Sequence, residues 1–345
     1  MASLTYAAHV SRKIIKFGGV GIIGVLVLWS LGTAAVNAYI AAHPPYYSPT
    51  VKYGIIPKIV YPEKKFETKT FLFEFAGDAV PKFSDQSRVY VIYQPLRLYL
   101  ALDEAKKTAK ELNFGGEPTE KSYGVYEFKN DTFNLTLTMN VIDGSFIVRY
   151  PYLNDQLLLN PEKVPDKIEA TTIAKEYLSS ANKLTPDLEN GQQKITFWKI
   201  EYDGLKSVPS QSEANVVRVD FFRKDLAETK FVTANLNEAP VSILVSGSTV
   251  ENKKVVEVNY KYMPIDEQSF STYPIKTNQE AMAELKSGNY WPVNDVGNNN
   301  MTIRKLYLAY FEPVSLTNYL QPIYVFEGDG GFVAYVQAVA DKWVK

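Results

Sequence analysis

The chain contains no cysteine and only two histidines. Without a thiol, a structural disulfide, a thiolate nucleophile and a zinc–thiolate site are all excluded, so the fold must stand on its apolar core. The two histidines, His9 and His43, flank an apolar segment near the N-terminus. A histidine general base, a Ser-His-Asp triad and a His-rich metal site are therefore not expected in the rest of the chain. An excess of charge of either sign is also missing. Lys and Arg number 37 against 38 Asp and Glu, a formal net charge of -1, and without a basic footprint no nucleic-acid partner is expected. The absence of cysteine does not fix the compartment, because exported prokaryotic domains without disulfides are ordinary.

What is present describes a folded protein. Hydrophobic residues make up 46% and charged residues 22% of the 345 positions, which is ordinary for a globular chain. The 24 tyrosines and 18 phenylalanines suit pleated, half-buried surfaces and point to a strand-rich fold.

From Phe17 to Ala42 no side chain is charged. This run exceeds the roughly 20 residues that cross a hydrocarbon core as a helix, the form in which a single segment satisfies its own backbone in lipid. Arg12, Lys13 and Lys16 precede it, and no Lys or Arg follows until Lys52. That asymmetry places the N-terminus in the cytoplasm and the remainder outside. A cleaved signal peptide ending at Val36-Asn37-Ala38 is the rival reading, and the length of the run favours an anchor. The expected layout is a cytoplasmic tail over 1–16, a transmembrane helix over 17–42 and a Pro-rich stalk over 43–50. Two extracytoplasmic α+β domains follow, over 51–160 and 161–345, parted in the Pro-rich stretch 151–166.

The exterior part reads as three passes of one pattern, a short amphipathic helix followed by strands. Leu102, Ala105, Ala109 and Leu112 fall on one helical stripe, as do Ile173, Tyr177 and Leu178. A third helix starts at the cap Thr277-Asn278-Gln279-Glu280 and stops at Gly288. Between them lie alternating segments with turns at Asn130-Asp131 and Asp143-Gly144. The arm 53–62, interrupted by Pro57 and Pro62, reads as an edge strand or extended segment. Residues 264–274 read as a second break, bracketed by prolines. Helices packed on antiparallel sheets give an α+β fold.

Chemistry is sparse. Glu201 and Asp203 end a predicted strand two residues apart, as solvated strand-end charges do. The stretch Glu327-Gly328-Asp329-Gly330-Gly331 lacks the spacing of a calcium loop and the lysine of a phosphate loop, and reads as a hairpin turn. No Ser-x-x-Lys opens a helix. No catalytic residue, cofactor or metal is expected. Trp198, in a strand, reads as core, whereas Tyr290 and Trp291, in the predicted loop 288–292, form the candidate contact surface.

In the C-terminal third, Tyr273-Pro274-Ile275-Lys276-Thr277-Asn278-Gln279-Glu280-Ala281, Leu285, the strand 303–310 and Tyr319-Leu320-Gln321-Pro322-Ile323-Tyr324-Val325-Phe326 resemble a PepSY-type or YycI-type module. The resemblance covers about the last quarter of the chain and its layout. It implies a single-pass, N-terminally anchored regulator of the YycH/YycI type, whose exterior modulates an envelope sensor kinase and carries no catalytic residues. The expected function is therefore a non-enzymatic binding or regulatory module of the cell envelope. Its expected partners are the lipid bilayer through 17–42 and an envelope protein or wall component. The alternative is a wall-active hydrolase or transferase using paired carboxylates.

Overall fold

A computed structural model describes residues 4–42, 47–94, 98–294 and 296–345. They form two compact units, 1–48 and 49–345. The first is the helix α1 (Leu4–Ala42), 39 residues long. It contains the whole uncharged run and starts well before it, reaching back through exposed Arg12. The side chains of Lys13 and Lys16 lie outside the described residues, as do stalk positions 43–46. Among the described residues no helix is long and apolar enough to cross a membrane.

The second unit is α+β, as expected. Its strands are β1 (Thr70–Phe73), β2 (Gln86–Ile92), β3 (Thr119–Ser122), β4 (Val125–Asn130), β5 (Leu135–Asn140), β6 (Phe146–Arg149), β7 (Gln193–Glu201), β8 (Gly204–Val208) and β9 (Val216–Phe221). They continue with β10 (Lys230–Val232), β11 (Val241–Ser246), β12 (Val255–Tyr260), β13 (Ile265–Pro274), β14 (Trp291–Asn294), β15 (Asn300–Phe311), β16 (Tyr319–Leu320), β17 (Pro322–Gly328) and β18 (Val333–Gln337). The helices are α2 (Leu98–Glu111), α3 (Gln156–Leu159), α4 (Lys167–Ser180), α5 (Pro186–Glu189), α6 (Glu251–Lys254) and α7 (Asn278–Ser287).

A nine-stranded antiparallel sheet runs in the order β3-β4-β5-β6-β12-β11-β9-β7-β8. Alternation along β5 buries Leu135, Leu137 and Met139 and leaves the threonines between them half exposed, the period-two pattern of a sheet covered on one face. The cover is helical. Ala105, Ala109 and Leu112 of the α2 stripe and Ala170, Ala174 and Leu178 of α4 share one core with Phe128, Phe146, Val219 and Ile243. Asp166 caps α4, accepting from the N–H groups of Ile168 and Glu169. Helix α2 follows its expected stripe, whereas in α4 Leu178 is buried as expected but Ala170 and Ala174 join it in place of Ile173 and Tyr177, which pack half-buried against the same core.

A six-stranded sheet runs β1-β15-β17-β18-β14, and β10 also pairs with β15. Strand β15 pairs with β17 on one side, while β1 and β10 lie end to end along the other, both parallel to it. A three-stranded sheet runs β13-β2-β16. The helix α7 has the expected capping box between Thr277 and Glu280, and ends at Gly288 with φ near +88°, a conformation that suits glycine.

Three expectations need correction. The boundary at 160/161 separates nothing, because β6 pairs with β12, β1 with β15 and β2 with β13 across it. The chain is instead nested. Residues 98–222 and 241–262 supply the nine-stranded sheet and its helices, and the segments on either side build the other two sheets. Prolines in 151–166 mark a connection within one core, where Leu158 is fully buried. The bracketing prolines at 264–274 enclose β13, an edge strand in which Pro274 is the last residue, a place where a missing N–H costs little. Finally, the sheets are not all antiparallel, because β15 is long enough to serve two short parallel partners.

The arm 53–62 is extended. Ile56 is buried and bridges Val344 in parallel, with Ile56 N–H donating to the Trp343 carbonyl at 2.9 Å. Its tip is held by the Trp291 indole, which donates to the Pro62 carbonyl at 2.8 Å.

A candidate pocket at the seam between the sheets

The expected contact pair forms no exposed surface. Tyr290 is 7% and Trp291 8% exposed. Trp291 opens β14 and pairs with Tyr335; its ring stacks on Tyr61 at 5.4 Å. Tyr290 packs among Phe66, Phe71 and Phe332. Apolar side chains of the preceding arm and of β1 cover both, and nothing in 288–292 alone announces them. Trp198 is half-buried, its indole donating to Thr196 Oγ1 at 2.8 Å.

The carboxylates considered for chemistry line neither of the cavities described below. Glu201 and Asp203 lie at the tip of the β7–β8 hairpin, with Glu201 paired to Lys206 at 3.8 Å. Glu327–Gly331 is the β17–β18 turn expected from its composition. There Asp329 accepts two hydrogen bonds from Arg304, at 2.8 and 2.9 Å.

A buried charged cluster lies elsewhere, at Arg223, where the nine-stranded sheet meets the other two. Arg223 follows β9 and is almost fully buried. Its Nε donates to Asp187 Oδ2 at 2.9 Å. Nη1 donates to the Met263 carbonyl at 2.9 Å and to Glu312 Oε1 at 3.1 Å, and Nη2 donates to Tyr262 Oη at 3.2 Å. The guanidinium faces the rings of Tyr262 and Phe231 at 4.3 and 4.8 Å, a favourable stacking for a planar cation. The contacts come from four separate parts of the chain. Asp187 belongs to α5, Tyr262 and Met263 to the link from β12 to β13, Phe231 to β10, and Glu312 directly follows β15.

Local sequence prepares this meeting. Pro186 opens α5 at its first turn, where a missing N–H is harmless. Gly191, just beyond it, passes so close to β9 that a Cβ would stand 1.9 Å from the Phe222 carbonyl oxygen. Only glycine permits that approach, and it lets the Lys224 N–H reach the Asp187 carbonyl at 2.8 Å.

Two carboxylates share one guanidinium, with opposite results. Burial alone would raise the Asp187 carboxyl. The Arg223 charge and hydrogen bonds from Thr185, Tyr262 and Arg223 outweigh it and leave the group below its ordinary value. Glu312 is more deeply buried, and burial pushes its carboxyl up despite Arg223. Its Oε2 has no hydrogen-bond partner, which explains why the charged form is poorly served.

Beside this cluster opens a cavity of about 360 Å³, lined by Asp187, Arg223, Lys224, Asp225, Phe231 and Glu267, among others. Its rim carries the tight turn Leu226–Thr229, whose two ends exchange hydrogen bonds at 3.0 Å. The middle residues, Ala227 and Glu228, have φ of +49° and +65°. Such a turn normally uses Asn-Gly, so this sequence holds it with some strain. A second depression, about 450 Å³, lies between β1 and α7 and is lined by Phe73, Phe75, Val80, Met282 and Lys286. Among the described residues no group of acids, His or Cys is arranged to hold a metal ion.

No family model matches the chain, and no curated protein does. Among solved structures, an uncharacterized protein from Eubacterium rectale superposes with a TM-score of 0.41 at 11% identity, covering 79% of this chain and 89% of that one. The Bacillus megaterium YpeB C-terminal domain superposes with a TM-score of 0.29 at 12% identity, covering 72% and 95%. At these scores neither establishes a common fold.

Proposed function

We propose that the protein is a non-enzymatic, membrane-anchored module whose exterior unit, residues 49–345, binds another component of the cell envelope. The observation that carries this reading is the continuity of α1, which takes the whole uncharged run 17–42 into one unbroken helix. The described side chains alone do not make a spanning segment. Counted over all 26 residues of the run, the helix is about 39 Å long at 1.5 Å per residue, against roughly 30 Å of hydrocarbon. Arg12, Lys13 and Lys16 hold its start on the cytoplasmic side. Tethering raises the local concentration of the exterior unit beside its partner, so weak contacts are enough. The resemblance of the C-terminal third to PepSY-type and YycI-type modules agrees with a regulatory role.

The test is protease treatment of intact cells or spheroplasts. The exterior unit should be digested while a fragment carrying residues 1–42 stays with the membrane. Protection of residues 49–345, or recovery of the whole chain in the cytosolic fraction, sinks the proposal. A chain lacking 1–42 should lose the cellular role, and full complementation by it would count equally against the anchor.

A further inference from the structure

The cavity at the seam has features that the structural role of Arg223 does not use. The guanidinium carries five N–H donors, and four are engaged, by Asp187, Met263, Glu312 and Tyr262. One N–H of Nη2 has no acceptor among the described residues, although the side chain is almost fully buried and lines the cavity. Asp225 and Glu267, both exposed, are among the lining residues, and the carboxylate of neither makes a hydrogen bond or ion pair among the described residues. Between them the walls include the apolar side chains of Phe231, Leu226 and Ile265.

The charges decide what such a cavity admits. Asp187, Asp225 and Glu267 line it against Arg223 and Lys224, three negative charges to two positive. Arg223 is already neutralised by two carboxylates, so an anion would find no free countercharge there beyond Lys224. A cation would find two unpaired carboxylates on exposed residues of a partly apolar cavity. The free N–H of Arg223 asks for a neutral acceptor such as a peptide carbonyl. An apolar stem, a cationic head and a nearby carbonyl together describe a lysine or arginine residue in a polypeptide.

We propose that the seam cavity is a docking site for a basic residue of a partner polypeptide, with its aliphatic stem against Phe231 and Ile265, its charged head held by Asp225 and Glu267, and a main-chain carbonyl on Arg223. The inference rests on the reading of residues 49–345 as a binding module, and supplies the chemistry of its partner. Because the cavity is walled by α5, β10, β13 and the segment after β9, an occupant touches all three sheets' connecting segments at once. It should therefore also raise the melting temperature of the unit, since a ligand that binds only the folded state stabilises it.

The experiment is isothermal titration of the purified full-length chain in detergent with Nα-acetyl-lysine amide and Nα-acetyl-arginine amide. Nα-acetyl-norleucine amide and Nα-acetyl-glutamate amide serve as the apolar and anionic controls. The basic probes should saturate, bind at least tenfold tighter than either control, and weaken as salt is raised. The double variant Asp225→Asn/Glu267→Gln should melt within a few degrees of the wild type and bind the basic probes at least tenfold more weakly. Equal binding of norleucine would make the cavity a non-selective apolar cleft. Preference for glutamate, unchanged affinity in the double variant, or no saturation by any probe at 10 mM would each overturn the assignment. Failure here with correct protease topology removes only the partner chemistry, whereas binding here with the wrong topology removes only the anchor.

Discussion

Replacing Arg223 by methionine should destabilise the unit 49–345 more than any other single exchange at a charged residue. The substitution keeps much of the apolar stem and removes the guanidinium. It leaves half-buried Asp187 and buried Glu312 without their common cation, and strips a donor from the Met263 carbonyl and from Tyr262. Removing one partner of a buried ion pair costs about 3–5 kcal/mol, chiefly because the remaining charge has no compensation. Each kcal/mol shifts the melting point of a large domain by about 2–4 °C, so a fall of about 10 °C is expected, read by circular dichroism at neutral pH. The mechanism has a second signature. Adding Glu312→Gln to Arg223→Met removes one of the two stranded charges and should restore part of the loss, which a mere packing defect would not do. The reasoning fails if Arg223→Met melts within 2 °C of the wild type, or if the second exchange lowers stability further.

Acid titration should show the two carboxylates acting in opposite directions. The Glu312 carboxyl is raised by burial, so its contribution is full below its unfolded value of 4.5 and is lost as pH rises through its folded value. Glu312→Gln should therefore flatten that decline and be at least as stable as wild type at pH 7. Asp187 is lowered, against its burial, by Arg223 and its hydrogen bonds, so its contribution is present above 3.8 and is lost as pH falls through the folded value. Asp187→Asn should weaken the unit at pH 7 and remove part of the acid limb, a result seen by melting at a series of pH values. Phe146→Ala, in the fully buried stack on Tyr260 at 4.7 Å, should cost about 3–5 kcal/mol by urea titration. Thr277→Ala breaks the capping box of α7 and should cost about 1 kcal/mol; a loss above 3 kcal/mol would mean the residue does more than cap.

The helices α2, α4 and α7 were legible because their signals are local. The stripes of apolar residues at helical spacing and the Thr277–Glu280 box with Gly288 each act within a few residues of themselves. Alternation likewise revealed β5 and β6, and the composition of 327–331 its turn. The pairing of strands far apart in sequence left no such mark. The prolines around 151–166 and 264–274 signal the same local irregularity whether the chain leaves a domain or turns within one, which is why the expected boundary and the expected break were both misplaced.

The same limit explains Tyr290, Trp291 and Arg223. An aromatic pair in a Gly-Asn-Tyr-Trp-Pro stretch is exposed unless something covers it, and the cover comes from residues 61–71, more than 200 positions away. Arg223 reads as an ordinary basic residue after a strand until Asp187, Tyr262 and Glu312 close around it. Sequence alone determined the uncharged run of 17–42, the exclusion of thiol chemistry and the short-range helices and turns, because each depends on composition or on neighbours along the chain. The tertiary structure decided which aromatics are buried, how the sheets are shared and where a charged cavity opens, because burial and electrostatic pairing depend on distances that folding alone sets.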